Sequence, residues 1–236
     1  VEVTPGGNLL NTLAEQQIFL PSACGGKGNC GQCKCRVVDG GGNILPTEVG
    51  FFNRKQIQDH WRLGCQVKVK EDLKIVIPDS ALSVKKLECE VISNDNVATF
   101  IKEFTVKLPE GEHLEFKSGE YIQIDIPAYE LDFKDIDVAP EYRADWEKFG
   151  FFNLHSSNPV PTIRAYSMAS YPGEKGIIKL NVRIATPPFD RSVPRELGPK
   201  LLPVNPGIAS SYVFTRKPGD KVIISGPYGE FLLPKN

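Results

Sequence analysis

Six cysteines are the residues of this sequence whose type and spacing could carry chemistry, at positions 24, 30, 33, 35, 65 and 89. Four of them fall in one short run, Cys-Gly-Gly-Lys-Gly-Asn-Cys-Gly-Gln-Cys-Lys-Cys, which begins at Cys24. Thiols at such spacings serve three kinds of site: a disulfide framework, a zinc site or an iron–sulfur cluster. The first question is therefore which of the three this spacing fits.

The spacing favours a [2Fe–2S] cluster. Disulfide frameworks are typical of small secreted chains. Structural zinc is usually bound by two short knuckles, and Cys30-x2-Cys33 is the one knuckle in this sequence. Plant-type ferredoxins supply three thiolates from a C-x4-C-x2-C loop and a fourth from a distant position. Here the loop is C-x5-C-x2-C, one residue longer, and a distant cysteine follows at position 65. The predicted ligands are Cys24, Cys30, Cys33 and Cys65.

The residues around these cysteines fit the same interpretation. Glycines at positions 25, 26, 28 and 31 would let the backbone wrap an inorganic core and turn its amides toward the sulfurs. Cys35 is predicted to pack beneath the loop, and Cys89 to be an ordinary buried strand residue. The three histidines show no paired spacing, so a Rieske centre is not supported.

Short elements should hold the cluster loop in place. Apolar residues from Leu9 to Ala14 predict a helix capped by Asn8. The elements predicted after the loop are a strand from Cys35 to Val38, a short helix near Asn53–His60 with Asn53 as its cap, strands over Gln66–Lys70 and Leu73–Ile77, and a linker over Pro78–Lys86. From Leu87 onward, strands separated by turn signals predict an antiparallel barrel.

Three segments of the second half together predict a flavin dinucleotide site: Phe116–Ile124, Arg164–Ser167 and Gly207–Tyr212. Arg164 offers a planar donor fork to pyrophosphate, and Tyr166, on the same strand face, can cover a flat ring while Ser167 reaches the ring edge. Gly207, Ser210 and Ser211 stand at a predicted helix start, where amides and hydroxyls can hold phosphate. Turn chemistry and strand packing are the alternative explanation for each segment alone. No G-x-G-x-x-G is present, which argues against a Rossmann site.

The segment 125–162 mixes acidic and aromatic residues. Two interpretations stay open: a solvated loop with some local helix, or a docking surface, since aromatics mixed with charge are typical of interfaces. No Ser-His-Asp or paired-carboxylate arrangement is needed here, and no catalytic residue is predicted. The redox chemistry would belong to the cofactors, which the protein orients and tunes.

The length and composition of the chain argue against some classes of function. The chain has 236 residues, a formal net charge of −1 and a pI near 6.4, which suggests one large or two ordinary domains and argues against nucleic-acid binding. No apolar run reaches the roughly 20 residues of a membrane span, and no signal-peptide pattern opens the chain. The 236 residues are therefore expected to be soluble.

The sequence resembles a known family, the F subunits of the sodium-translocating NADH:quinone oxidoreductase. In that family a plant-type ferredoxin module is fused to a ferredoxin-reductase-like flavoprotein. The resemblance is carried by the C-x5-C-x2-C motif and a long acidic insertion, and by the segments Leu20–Cys24 (LPSAC), Ile163–Pro172 (IRAYSMASYP) and Leu180–Pro188 (LNVRIATPP). It covers essentially the whole chain.

The resemblance implies a fold and a set of site residues. An α+β, β-grasp [2Fe–2S] domain is expected over residues 1–80, followed over 81–236 by an all-β, six-stranded antiparallel Greek-key FAD-binding barrel with the insertion at about 125–162. The four predicted cysteines would hold the cluster. Arg164 would contact the FAD pyrophosphate, Tyr166 would stack on the isoalloxazine and Ser167 would lie near its reactive edge. Gly207, Ser210 and Ser211 would hold the phosphates.

The resemblance also implies a function, that of the electron-input subunit of a membrane respiratory complex. Electrons would pass from NADH through FAD to the cluster, and on to quinone-reducing, sodium-pumping partner subunits at the cytoplasmic face of a bacterial inner membrane. Family members add an N-terminal membrane helix and a C-terminal nicotinamide-binding α/β domain. This chain stops at Pro234-Lys235-Asn236, so we expect a fragment that does not oxidise NADH alone. The alternatives are the NADH-dependent reductase of a soluble oxygenase and a non-enzymatic electron carrier or redox sensor.

Overall fold

Two hydrophobic cores organise the chain. The structure is a computed structural model that describes residues 2–193 and 198–229. One core is built from residues between Leu9 and Ala81, and the other from residues between Cys89 and Ile224. The domain boundary at residue 80 stays a prediction, and the two cores support it. Within the described ranges, no helix is both long enough and apolar enough to cross a membrane.

The first core joins a small antiparallel sheet to short helices. The elements are α1 (Leu9–Glu15), β1 (Lys34–Asp39), α2 (Pro46–Val49), α3 (Arg54–Gln58), β2 (Trp61–Leu63), β3 (Lys74–Val76) and α4 (Asp79–Leu82), with strand order β2-β1-β3. The predicted cap of α1 is confirmed, because the Asn8 side chain accepts a hydrogen bond from Asn11 N–H at 2.9 Å. Asn53 caps α3 in the same way, as predicted.

Two local predictions in this half are wrong. Gln66–Lys70 is not a strand: its backbone bonds to the segment before α1, where Gly6 N–H donates to Val69 O (2.8 Å) and one isolated bridge joins Asn8 to Lys68. The linker predicted over Pro78–Lys86 instead contains α4, and β4 begins at Lys85. Ala81 of α4 is only 3% exposed and packs into the first core. Apolar contact therefore orders a segment whose composition is typical of a linker.

The second core lies inside an antiparallel six-stranded sheet. The elements are β4 (Lys85–Ala98), β5 (Ile101–Lys107), β6 (Tyr121–Ile126), β7 (Tyr129–Asp132), α5 (Pro140–Lys148), β8 (His155–Asn158), β9 (Thr162–Ser167), β10 (Ile177–Arg183), α6 (Ile208–Thr215) and β11 (Lys221–Tyr228). The strand order is β10-β5-β4-β11-β6-β9. Ala169 N–H donates to Lys179 O at 2.8 Å, which draws the two edge strands together. The predicted six-stranded antiparallel barrel is confirmed.

The insertion is a folded layer on the barrel that contains the helix α5 and the strands β7 and β8. Trp146 of α5 is fully buried, and Phe133 and Phe151 are also in the second core. The indole Nε1 of Trp146 donates to Thr99 O at 2.7 Å. The charged residues of α5 face solvent. These three aromatic residues therefore pack inward, and whether the exposed face of the insertion binds a partner stays a prediction.

Trp146→Ala tests this packing. We expect a loss of about 3–5 kcal/mol in the free energy of unfolding, because a large buried ring is replaced by a cavity. Urea denaturation of the barrel measures it, with the exposed neighbour Glu147→Ala as the matched control. A loss no larger than that of the control would contradict the proposed packing of the insertion.

His155 makes a pH-dependent contact on the two-stranded sheet of β7 and β8. Its Nδ1 lies 3.0 Å from Asp132 and its Nε2 lies 2.6 Å from Glu130. Hydrogen bonds to Asp132 and then Glu130 raise the pKa of His155 above its ordinary value. Lys134 also contacts Asp132, at 3.2 Å, and competes for that carboxylate.

The raised pKa fixes the sign of the pH dependence. The charged histidine stabilises the fold below the unfolded-state pKa of about 6.5, and this contribution is lost as pH rises through the higher folded-state pKa. We therefore expect His155→Gln to lower the free energy of unfolding at about pH 5 and to change it little at about pH 9. Denaturation at both pH values, with the exposed His113→Gln as control, measures the difference. A loss that is equal at both pH values would refute the assignment.

Candidate functional site

The four predicted ligand thiols lie together as two pairs. Three of them belong to the loop between α1 and β1, and the fourth, Cys65, follows β2. Cys24 and Cys30 share a side-chain hydrogen bond, and Cys33 shares one with Cys65. Cys65 reaches the loop because β2 runs antiparallel to β1, with Lys34 opposite Leu63, and Gly64 N–H donates to Cys33 O at 2.7 Å. The structure therefore collects all four thiols at one end of the small sheet.

The thiol environment favours the deprotonated form at two positions. Burial raises the pKa of Cys24, but hydrogen bonds from the Asn29 amide and from the Cys30 side chain and amide outweigh it and lower this pKa to about 7. The hydrogen bond with Cys33 lowers the pKa of Cys65 to about 6 and raises that of Cys33. Because the thiolate is the metal-binding form, the loop is suited to ligate a metal.

The loop glycines behave as predicted. Gly25, Gly26, Gly28 and Gly31 all have positive φ angles, between 65° and 83°. At Gly31 an added Cβ would clash with the Phe51 ring. Backbone amides of the loop, including that of Gly28 toward Cys65, donate to the sulfurs. Such donors stabilise thiolates and tune the reduction potential of a cluster.

The donor set, two pairs of thiols, suits a two-iron cluster. All six cysteines are free thiols. In the described part of the chain, no three His, Cys, Asp or Glu side chains are arranged to hold one metal ion. A [2Fe–2S] centre needs two thiolates on each of two irons, and the two cysteine pairs supply that arrangement. Cys35 and Cys89 are buried, at 0% and 1% exposure, as predicted.

Sequence reasoning missed a buried ion pair beneath the cluster loop. Arg62 of β2 meets Glu48 of α2 at 2.7 Å, and Glu48 is fully buried. The guanidinium also donates to the carbonyl oxygens of Gly41 and Gly42. Glu48 accepts from Leu63 N–H at 2.8 Å. The pair therefore fixes the strand that leads directly into Cys65, and isolated charged residues in a sequence give no signal of such pairing.

Gln66 is a second residue that the sequence analysis did not single out. Its Nε2 lies 3.6 Å from Cys65 Sγ, as a donor to sulfur. Thr47 Oγ1 donates to Gln66 Oε1 at 3.0 Å, which orients the amide so that its nitrogen faces the thiol. The side chain therefore adds one more hydrogen bond to a predicted ligand.

Arg164 lies on β9 at the contact between the two halves of the chain. Its Nη1 donates to Ile163 O (2.7 Å) and Thr162 Oγ1 (2.8 Å), and reaches Cys24 O at 3.5 Å. These contacts hold the guanidinium beside the cluster loop. All three contacts use Nη1, so the other N–H groups of the planar guanidinium are still available to donate to a pyrophosphate.

Two of the residues predicted to hold phosphates, Gly207 and Ser210, form hydrogen bonds that position the start of α6. Gly207 N–H donates to Ala185 O at 2.7 Å, and Ser210 Oγ accepts from Ala185 N–H at 3.0 Å. Ser210 and Ser211 are both buried. Gly207 and Ser210 therefore position the helix start within the fold, and the first-turn amides, which have no intrahelical partner, are the groups that suit a phosphate.

Tyr129 of β7 contacts the start of α6. Its Oη donates to Ile208 O at 2.6 Å, and its ring stacks on that of Tyr212 with centroids 6.2 Å apart. Tyr166 of β9 packs on the same core, and burial raises its pKa to about 12. Thr162, Ile163 and Tyr212 line a cavity of about 500 Å³ whose lining includes none of the predicted flavin residues. Ser167 is exposed at the end of β9.

Comparisons with known proteins agree with this geometry. Residues 1–70 match the family described as 2Fe-2S iron-sulfur cluster binding domain, and residues 149–232 match that described as oxidoreductase FAD-binding domain. The F subunit of the Na(+)-translocating NADH-quinone reductase of Psychrobacter arcticus is 57% identical over 234 residues, which is 99% of this chain. The chain is therefore similar to F subunits over nearly its whole length. The corresponding protein of Klebsiella pneumoniae is 55% identical over 97% of the chain.

The two family matches confirm the predicted cofactors, a [2Fe–2S] cluster and FAD. The individual cluster ligands and flavin contacts stay predictions. The chain spans 55% of the length of the Psychrobacter relative. Among solved structures, the cytochrome P450 reductase GcoB from Amycolatopsis is 21% identical, with a TM-score of 0.53 over 99% of this chain and 56% of that one. At that identity it shows the shared fold alone.

Glu48→Gln tests the buried ion pair. We expect a loss of about 3–5 kcal/mol in the stability of the first domain, because the buried Arg62 charge loses its counter-charge. We also expect faster loss of iron, since the strand before Cys65 loosens. Urea denaturation and iron release to a chelator are the measurements, with the exposed Glu71→Gln as matched control. The double variant Glu48→Met/Arg62→Met should lose less than the single one; a larger loss would contradict the argument.

Proposed function

We propose that this chain is the part of an electron-input subunit that binds FAD and a [2Fe–2S] cluster side by side. In the whole protein, NADH would be the electron donor, and quinone-reducing, sodium-pumping membrane subunits at the cytoplasmic face of a bacterial membrane would be the acceptors. The observation that carries the proposal is the contact of the cluster loop with β9, which bears the predicted flavin residues. Identity above 50% to F subunits supports it.

The first domain would hold the cluster with Cys24 and Cys30 on one iron and Cys33 and Cys65 on the other. Loop amides and the Gln66 side chain would donate to the sulfurs. Cys33 and Cys65 are at most 8% exposed, so the protein keeps water from that side of the site. Cys24 and Cys30 are less buried, and they would form the side nearest the barrel.

The barrel would hold the flavin between β9 and α6. Arg164 would bind the pyrophosphate with its remaining N–H donors, and the first-turn amides of α6 would bind the phosphates beside Gly207, Ser210 and Ser211. Tyr166 would cover the isoalloxazine, with Ser167 at its edge. The flavin supplies the conversion between two-electron and one-electron transfer, and the protein supplies position and insulation.

The two alternative functions are less well supported. An oxygenase reductase has the same order of modules, but the relatives with high identity are F subunits, and the likeness to GcoB shows the fold alone. A carrier without flavin conflicts with the match of residues 149–232 to an FAD-binding domain. Flavin and iron stoichiometry in the purified chain distinguish these functions.

The absorption spectrum of the anaerobic chain tests the proposal directly. We expect flavin and iron–sulfur bands, with close to one FAD and two irons per chain for a single [2Fe–2S] centre. The bands should bleach with dithionite and not with NADH, because the described domains carry no predicted nicotinamide site. A chain that binds only one of the two cofactors would refute the proposal, and bleaching by NADH would show that these residues already bind the donor.

Tyr166→Ala tests the flavin contact. An aromatic stack contributes about 0.5–1.5 kcal/mol, so we expect FAD to bind about three- to tenfold more weakly. Fluorescence titration of the flavin-free chain with FAD measures the affinity. Tyr171→Ala is the matched control because Tyr171 is 65% exposed. Unchanged FAD affinity in Tyr166→Ala would show that the ring does not cover the flavin.

A further inference from the structure

A hydrogen bond joins the cluster loop to a barrel strand next to the predicted flavin residues. Tyr121 Oη of β6 donates to Gln32 Oε1 at 3.0 Å. Gln32 stands between two predicted ligands, Cys30 and Cys33. In the pairing of β6 with β9, Tyr121 lies directly opposite Ser167. One side-chain contact therefore links the cluster loop to the strand position that is predicted to lie at the flavin edge.

Both partners of this hydrogen bond are held in place. Gln32 Oε1 also accepts from Ala23 N–H at 3.0 Å, so the carboxamide is fixed across the base of the loop. The Tyr121 ring is stacked on that of Tyr228, with centroids 5.5 Å apart and planes inclined by 26°. Each side chain is therefore held by a second contact, and the hydrogen bond between them lies at the solvent-exposed edge of the contact between loop and barrel.

Two further contacts join the first domain to the barrel on the same side. At Gly25 an added Cβ would lie 2.9 Å from Thr162 Oγ1 and 3.0 Å from Ile163 O, so the bare loop backbone lies directly on β9. Lys86 of β4 pairs with Asp125 of β6 at 2.5 Å and lies 5.7 Å from the Phe19 ring centroid of the first domain. The loop is thus docked on the barrel at three points.

We propose that the Gln32–Tyr121 contact is the docking point across which electrons pass between the flavin and the cluster. The proposal rests on the proposed function, because it needs FAD on β9. The reduced flavin loses two electrons in succession and two protons to solvent. Each electron reduces one ferric ion of the oxidised cluster, which passes it to a one-electron acceptor before it takes the next. No bond of Gln32 or Tyr121 forms or breaks, so both are positioning residues.

Tyr121→Phe in the chain loaded with both cofactors is the decisive variant. It removes the hydroxyl that donates to Gln32 and keeps the ring that stacks on Tyr228. After flash photoreduction of the flavin under anaerobic conditions, the rate of cluster bleaching reports the internal transfer. We expect this rate to fall about three- to tenfold, the effect of one lost neutral hydrogen bond on docking. Iron content, FAD content and both midpoint potentials should be unchanged.

Gln32→Leu should slow the transfer at least as much, because it removes the acceptor of the same hydrogen bond. Tyr171→Phe, which makes the same chemical change at an exposed site, is the matched control and should transfer electrons at the wild-type rate. Hydrogen exchange of the amides in the loop 22–33 gives a readout that does not depend on electron flow. Exchange should be faster in Tyr121→Phe than in the control.

The outcomes separate this proposal from the proposed function. A wild-type transfer rate in Tyr121→Phe, or unchanged hydrogen exchange in the loop, overturns the docking role. Loss of FAD from Tyr121→Phe also overturns it, because the hydroxyl would then belong to flavin binding. If the wild-type chain itself fails to bind FAD or iron, the proposed function fails before this contact is tested.

Discussion

The buried pair of Glu48 and Arg62 is the interaction on which the cluster site depends. It connects three otherwise separate pieces: the short helix α2, the glycine turn at 41 and 42, and the backbone of Leu63. A buried ion pair is costly to desolvate and contributes little net stability unless its hydrogen bonds are satisfied. Here Glu48 and Arg62 each make several hydrogen bonds. Its effect is positional, because Cys65 follows β2 by two residues and must meet Cys33, which directly precedes β1.

The cluster loop is shaped by both cores at once. Toward the first domain, it folds over Cys35 and Leu63, which are fully buried. Toward the barrel, its backbone lies on β9, and this approach needs glycine at position 25. A loop in contact with the strand of the flavin residues places the two predicted cofactors close together. That proximity gives a physical reason for one chain to carry both.

Much of the fold could be predicted from local sequence. Asn8 and Asn53 cap helices because a side-chain oxygen can bond to a free amide of the first turn. The loop glycines have the positive φ angles that close wrapping requires. Predictions failed where long-range contacts outweigh local patterns. Gln66–Lys70 has the alternation of a strand, but its backbone bonds to the segment before α1. The acidic insertion has the composition of a loop, but two of its own aromatic residues, Trp146 and Phe133, are buried in the core of the barrel and hold the insertion against it.

The sequence by itself determined the kind of chemistry, since the number and spacing of thiols and the Arg164–Ser167 segment restrict the cofactors that can be bound. Only the tertiary structure decided how those groups are arranged: the two cysteine pairs, the amide of Gln66 turned toward Cys65, and the contact of Gln32 with Tyr121 across 89 residues of chain. The reason is physical. Ligand type and backbone freedom are properties of single residues and short segments, whereas a hydrogen bond between distant residues exists only after two separate cores have packed and brought their surfaces together.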